Sequence, residues 1–388
     1  MKTHLYNRDN ISICHVLTRL DIGGMENGVV NICNRLDRSR FRPLVCCLNS
    51  TGPMASRLQP DVELVNMEIP EGLRIGAIQK VAQFFREASV DIVHTHAWGG
   101  GSFYGILGAK FTGVPIVING EHGSFFNKPH QKVLQRILYS LCDMNLAVSD
   151  SLKDKVNRII GIPLSRITVI PNGVDTEKFS GIHPRDEIIA RLRKESFPFD
   201  AQSFYIISIG SLKPEKAPIM LLQGIKRLLT HDPSLAVKVI FVGDGPYREA
   251  MTTFIRAEGL GGVAFLLGNR MDIPELLSIA DVLVSTSIAR HEGLSNVMLE
   301  AMASGVPVIA TRSVGAVELI TDGVNGFLID PDSVEQLVEC LALLYHDHNM
   351  LRTMGMNAKE LVWDQFSINR MLQDYEMLYL TLFRAKLS

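Results

Sequence analysis

Glu292 and Glu300 are separated by seven residues in the stretch HEGLSNVMLEAMASGVPVIAT, residues 291–311. The spacing puts Glu292 in a loop and Glu300 about a turn and a half into the helix behind it. Asn296 or Ser295 can cap that helix, because short polar side chains accept from free N–H groups in a first turn. The amides of Leu294, Ser295 and Asn296 then point outward, and unpaired first-turn amides attract phosphate. One short segment thus offers an anion seat flanked by two acids. A diphosphate carrying a sugar at one end and a ribose at the other would use all of it.

Further groups with chemistry to offer lie elsewhere. In RLDIGGME (19–26), Gly23 and Gly24 either let the backbone approach a ligand closely or simply make a tight turn. The pattern is not G-x-G-x-x-G, which argues against a nicotinamide fingerprint. In DIVHTH (91–96), His94 and His96 share one face of a strand, and His96 comes last. A sugar-binding histidine is the reading for His96. A structural histidine fits His94 better, and a metal pair lacks a third ligand in the sequence. Glu121 and His122 end the next strand, where they either face the same crevice on the acceptor side or are structural. GSLKPEKAP (210–218) supplies Gly210, Ser211, Lys213 and Lys216; a lysine here can reach a diphosphate as a point charge, and Lys216 sits nearer the following helix. In GNRMDIPEL (268–276), the loop Asn269, Arg270 and Met271 has backbone groups suited to a base edge. Asp330 and Asp332 form a D-x-D better explained by helix capping than by a divalent metal. NKPHQKVLQRILYSL (127–141) carries Lys128, Lys132 and Arg136 among apolar residues. It either packs its apolar face on a sheet, the expected outcome, or lies on an anionic membrane surface.

The elements that must position these groups alternate between β-branched runs and helical patterns. Strands are expected at 11–18, 42–48, 62–67, 91–96, 115–119, 145–149 and 167–172, then at 204–210, 237–243, 263–268, 281–287, 307–311 and 326–329. Near-continuous apolar strands separated by helices imply parallel sheets covered on both faces. Two such series imply two doubly wound α/β domains. The break falls near 176–202, which is turn-rich and polar with a short helix before FPFD. Residues 366–387 form one amphipathic helix with Met371, Leu372, Tyr375, Leu378 and Leu382 on one side; it either closes the second domain or packs back on the first. Ligands of open parallel sheets bind at the carboxyl ends of strands, and the suggestive residues all fall at such ends.

Composition bounds the function. The 388 residues suit two domains, and 46% hydrophobic with 21% charged residues describes a packed globular chain. A net charge of −2 gives no argument for nucleic acid. Residues 1–180 carry 20 Lys and Arg against 16 Asp and Glu, the rest 19 against 25. That asymmetry suits an anionic partner on the first half, or arises by chance on solvated faces. The six cysteines, Cys14, Cys33, Cys46, Cys47, Cys142 and Cys340, make no C-x-x-C and read as buried thiols. The polar N-terminus and the lack of an 18-residue apolar run lead to the expectation of a cytoplasmic protein, at most peripheral on the membrane.

Taken together, GGMEN, HTHAW, VIPNGVDTEKF, SLKPEKA, FVGDGPYRE, FLLGNRMDIPELLSIADVLVSTS and the E-x7-E block followed by VELITDGVNGFLI resemble family-4 retaining glycosyltransferases of the GT-B fold. The opening HVLTRLDIGGMENGVVNICNRL is similar to bacterial members that build exopolysaccharide or lipopolysaccharide-type glycans. The resemblance implies two Rossmann-like domains facing across a cleft: 1–178, joined by the helix 366–388, and 179–365, which binds the nucleotide sugar. It implies that Glu292 sits by the donor sugar, Glu300 holds the ribose, and His96 contacts the sugar near the transition state. The amides of Leu294 to Asn296, the Gly23–Gly24 loop and Lys216 would bind the diphosphate, and Asn269 to Met271 would face the base. Ser211 stands where the family commonly has arginine, which leaves Lys216, aided by Lys213, as the main cation.

The expected reaction is sugar transfer from a nucleotide diphosphate sugar, uridine by default, with retention, no cofactor and no metal. Charge builds on the leaving phosphate, where Lys216 and the helix amides would act. The acceptor is expected to be a glycan or lipid-linked glycan of a bacterial envelope. A soluble small-molecule acceptor is the runner-up, and an epimerase or phosphorylase on a similar fold is the competing class.

Overall fold

The computed structural model describes residues 10–21, 23–96, 101–122, 129–181, 184–195, 197–288 and 294–387. Glu292 and Lys128 lie outside the described residues. The chain divides into two compact units, Met1–Gly173 with Ile368–Ser388, and Val174–Ser367. The first division therefore falls a few residues before the junction expected from the sequence.

In the first unit the strands are β1 (Ile11–Leu17), β2 (Phe41–Cys47), β3 (Glu63–Asn66), β4 (Ile92–His96), β5 (Ile116–Glu121), β6 (Met144–Ala147) and β7 (Ile167–Val169). They pair in parallel in the order β3-β2-β1-β4-β5-β6-β7. The helices between them are α1 (Gly24–Arg35), α2 (Ile75–Glu87), α3 (Phe103–Thr112), α4 (Pro129–Leu141) and α5 (Asp150–Ile160). β1 and β4 bury every residue, which is why both read as continuous apolar runs interrupted only by histidine and small polar residues.

The second unit opens with α6 (Arg185–Lys194) and holds β8 (Phe204–Ile209), α7 (Pro218–His231), β9 (Val237–Val242), α8 (Arg248–Ala257), β10 (Ala264–Gly268), α9 (Ile273–Ile279) and β11 (Val282–Ser285). It continues through α10 (Asn296–Ala303), β12 (Val308–Thr311), α11 (Ala316–Leu319), β13 (Gly326–Ile329), α12 (Val334–His346) and α13 (His348–Gln365). Its sheet is also parallel, in the order β10-β9-β8-β11-β12-β13. Each expected strand is thus present, within a few residues of its expected ends.

The last helix, α14 (Ile368–Leu387), settles the question left open by its amphipathic pattern. Met371, Leu372, Tyr375, Tyr379 and Phe383 pack with Ile11, Ile13, Phe41, Ile92, Ile116 and Ile118 of the first unit. Two residues before it, the Phe366 carbonyl accepts from the Val174 amide at 2.9 Å, a bond between the two ends of the second unit.

Two local expectations need correction. α4 does not bury its apolar face. Gln135, Leu138 and Tyr139 are its buried residues, whereas Val133 and Ile137 are 59% and 54% exposed and Leu134 and Leu141 are exposed as well. The inward face is polar because it serves a buried carboxylate: Tyr139 Oη donates to Glu121 Oε2 at 2.6 Å. The D-x-D is not itself the cap of the following helix. Ser333 caps α12 by accepting from the Gln336 amide, while the Asp330 amide and carboxylate exchange hydrogen bonds with the Gln336 side chain.

Candidate active site

In each sheet the connections run outward in opposite directions from a central pair of strands, β1 and β4 in the first and β8 and β11 in the second. Such a switch point leaves a crevice beyond the carboxyl ends of the pair, because the two following loops turn away from each other.

In the second unit the β8 loop turns at Gly210, where φ is +151°, and passes Ser211 and the exposed Lys213 into a 3-10 turn at Pro214–Lys216. Ala217 then takes a left-handed conformation, φ +42°, and α7 begins at Pro218. The segment leaving β11 is bonded to this turn. Thr286 Oγ1 donates to the carbonyls of Lys216 and Ala217 at 2.9 and 3.0 Å, and the Ile288 amide donates to the Glu215 carbonyl at 2.9 Å. Leu294 precedes the start of α10, with Ser295 at the N-cap position and Glu300 inside the helix. Of the two residues that could cap this helix, Asn296 and Ser295, Ser295 holds the N-cap position and makes no side-chain cap. Lys216 is partly covered, and burial, opposed by Glu215 and reinforced by Lys213, holds its ammonium below its ordinary pKa. An incoming anion reverses such a shift, since a charge partner favours the charged form.

Gly243, at the end of β9, has φ +128°, and a Cβ there would stand 2.0 Å from the Gly210 oxygen. Only glycine allows the ends of β8 and β9 to approach so closely. In the third loop, whose backbone groups were expected to suit a base edge, the Arg270 side chain is held by ion pairs. Its guanidinium is paired with Glu195 at 2.5 Å and Asp272 at 2.8 Å, and Arg191 joins Asp272 and Glu275 at 2.5 Å each. This network binds α6 to the start of α9; Asn269 and Met271 remain exposed.

In the first unit a cavity of about 350 Å³ lies at the switch point, lined by Thr18, Arg19, Asp21, Met25, Glu26 and His96 among others. Gly23 is the N-cap residue of α1, and Glu26 folds back over it: a Cβ on Gly23 would stand 2.3 Å from Glu26 Oε2. The carboxyl thus occupies the helix N-terminus that the sequence offers to a phosphate. Burial, opposed by its own backbone amide and reinforced by Asp21, raises the pKa of Glu26. Arg19 is engaged with Asp21, Nε to Oδ1 at 2.9 Å.

His96 is buried beside this cavity and belongs to a cluster that the sequence showed only in part. Register pairs His15 of β1 with His94 of β4, and His96 with Gly120 of β5. His15 Nδ1 lies 2.9 Å from His96 Nε2, and His96 Nδ1 lies 3.3 Å from His122 Nε2. His94 Nδ1 meets Tyr379 Oη of α14 at 2.9 Å. Burial keeps all four imidazoles neutral: His15 falls to about 3, His122 to about 4, and His94 and His96 lie well below the ordinary value. His15, His94 and His96 bring nitrogens within 4.8 Å of one another, so the third histidine that the HTH pair lacked comes from β1. The alternation of β1 could have signalled it, but only the register of a parallel neighbour decides what it faces. His122 joins this cluster, whereas Glu121 does not: its carboxylate is buried against Tyr139 and Gln135, away from the acceptor role considered for it.

Residues 191–361 match the family of glycosyl transferases group 1, and residues 22–178 match glycosyltransferase family 4. The chain is a family-4 glycosyltransferase. An Escherichia coli enzyme, UDP-Gal:alpha-D-GlcNAc-diphosphoundecaprenol alpha-1,3-galactosyltransferase, is 25% identical to it over 95% of this chain and 97% of that enzyme. The N-acetyl-alpha-D-glucosaminyl L-malate synthase of Bacillus anthracis is 26% identical over 79% of this chain and 78% of its own length. Among solved structures, a glycosyltransferase from Rickettsia africae superposes with a TM-score of 0.83 at 22% identity, covering 97% of this chain and 99% of that one. Anabaena HepE in complex with UDP-glucose gives 0.79 at 22% identity, with 96% and 100% covered. The two doubly wound units of this glycosyltransferase are those of the GT-B fold. Among the described residues no helix is long and apolar enough to cross a membrane.

Proposed function

We propose that this glycosyltransferase moves a sugar from a nucleotide diphosphate sugar, UDP-linked, to a glycan or lipid-linked glycan acceptor of a bacterial envelope, with retention at the anomeric carbon and without a metal. The observation that carries this reading is the bonding of the Lys216 turn to the Thr286–Ile288 segment that leads to α10. It ties the lysine turn after β8 to the strand end that precedes α10, and an ammonium and a helix N-terminus are the pair of features a leaving diphosphate requires. On this reading Lys216, Lys213 and the amides of Leu294, Ser295 and Asn296 take the diphosphate. Glu300 takes the ribose, Glu292 the donor sugar, and Asn269 and Met271 the base. His96 serves the sugar, and the Gly23–Gly24 loop adds amides once Glu26 gives way. The transition state is oxocarbenium-like, and the acceptor proton passes to the leaving phosphate. The UDP preference is supported by the E. coli relative, whose name specifies UDP-Gal, and by the HepE complex.

A screen of nucleotide sugars against purified protein tests the reading. Nucleoside diphosphate should appear only when donor and acceptor are both present, the product should keep the donor's anomeric configuration, and chelator should leave the rate unchanged. Release without acceptor, an inverted product, or a Glu292→Ala variant as active as the wild type would defeat it. The B. anthracis relative, named for L-malate, favours a second reading with a soluble acceptor. A polyprenyl-diphosphate glycan and hydroxy acids in the same assay separate the two.

The outward face of α4 supports a peripheral membrane site consistent with a lipid-linked acceptor. Val133, Leu134, Ile137 and Leu141 are exposed on a helix that carries Lys132 and Arg136 and no acidic residue. Burying each apolar side chain is worth up to about 1.5–3 kcal/mol, and each basic residue near an anionic leaflet adds about 1 kcal/mol. The protein should sediment with phosphatidylglycerol vesicles and not with phosphatidylcholine vesicles, and Val133→Ser with Ile137→Ser should abolish that.

A further inference from the structure

Both nitrogens of His96 are spoken for, and the way they are bonded selects one tautomer. A neutral imidazole carries one N–H and one lone pair. His15 Nε2 and His94 Nε2 are buried with no hydrogen-bond partner among the described residues. Were the proton of His15 on Nε2, a buried N–H would be orphaned, which native structures avoid more strictly than an under-used acceptor. The proton therefore sits on Nδ1 and points at His96 Nε2, 2.9 Å away. His96 must then accept at Nε2 and carry its own proton on Nδ1, which faces His122 Nε2 at 3.3 Å. Hydrogen bonds run in one direction, from His15 through His96 to His122. The same argument puts the His94 proton on Nδ1, donating to Tyr379 Oη.

Resting on the reading that His96 serves the donor sugar, we infer that His15 is a positioning residue: its Nδ1–H holds His96 as the Nδ1–H tautomer and fixes the ring beside the cavity, so that His96 offers an N–H, not a lone pair, on its His122 side. Gly120 is part of the device. A Cβ there would stand 3.2 Å from His94 Nε2, 3.3 Å from His122 Nε2 and 3.4 Å from His96 Nδ1, so the bare backbone of β5 leaves the three rings room to converge.

The test replaces His15 with Asn, Gln and Leu. Asn places an amide N–H where imidazole carries Nδ1; Gln reaches instead to the Nε2 position; Leu offers no donor. In the wild type, ¹⁵N-labelled imidazole spectra should show His96 protonated at Nδ1 and bare at Nε2. His15→Asn should keep that signature and most of kcat. His15→Leu and His15→Gln should lose it and lower kcat about 10- to 100-fold with little change in donor KM, the effect of a misplaced group rather than of lost binding. Gly120→Ala, whose methyl would press on the His94, His96 and His122 rings, should disturb the same resonances. A wild-type His96 protonated on Nε2, or a His15→Leu variant with unchanged kcat, overturns the inference. Should His96→Ala itself keep full activity while the tautomer is as stated, it is the assignment of His96 to the donor sugar that fails.

Discussion

Thr286 Oγ1 lies 2.9 Å from the main-chain oxygen of Lys216, a hydrogen bond between segments 70 residues apart. It joins the turn that carries Lys216 to the segment that leads to α10 and holds the backbone of that turn. Lys216→Ala should lower turnover by about 10²- to 10³-fold, the usual size for a group that stabilises charge developing in the transition state. Thr286→Val keeps the shape and removes the donor, so it should cost less, about tenfold or under. Initial rates of nucleotide release measure both, and equal losses would show that the hydrogen bond is not what orders the turn.

Glu26 places a carboxyl over Gly23 at the start of α1, where its pKa is raised. An ionised carboxyl there competes with phosphate, and a protonated one does not. Donor affinity should therefore improve as pH falls through the Glu26 transition, and Glu26→Gln should bind donor more tightly at neutral pH and lose that dependence. Titration calorimetry across pH decides it; a variant with weaker binding would make Glu26 a ligand rather than a competitor.

Gly243→Ala should destabilise the second unit by about 1–3 kcal/mol, because φ +128° is strained for alanine and its Cβ would strike the Gly210 oxygen. Thermal unfolding reads the loss. A fall in donor affinity beyond that expected from stability would follow from displacement of Gly210.

The buried histidines make the first unit acid-sensitive. Their folded pKa values lie below the unfolded value, so the unfolded chain takes up protons first as pH falls. The stability they leave intact above about pH 6.5 is lost on descent toward the folded value, about 3 for His15. Each such residue contributes a slope of about 1.4 kcal/mol per pH unit in that window. His15→Asn removes one titrating group and should flatten the stability curve between pH 6 and 4 by about that amount, as denaturant unfolding at several pH values would show.

The strands of both sheets were legible because fully buried parallel strands must be apolar along their whole length, and that is a local pattern. The loops at their carboxyl ends were legible for the same reason, which is why Lys216, His96 and the Gly23–Gly24 turn could be named. Contacts between distant segments left no such trace. That His15 meets His96 depends on β1 lying beside β4; that Glu26 covers Gly23 depends on a side-chain rotamer at a helix start; that Arg270 is consumed by Glu195 and Asp272 depends on where α6 packs. α4 has the apolar spacing of a buried helix and faces outward, since Glu121 required a polar partner on the inside. Amphipathic spacing says that α14 has a face to bury, not which sheet receives it. The chain by itself determined which segments are strands and which ends carry charge or amides, because those follow from periodicity and short-range backbone chemistry. Only the tertiary structure decided which charges cancel one another and which remain to meet a ligand, because pairing is settled by through-space distance that sequence separation does not encode.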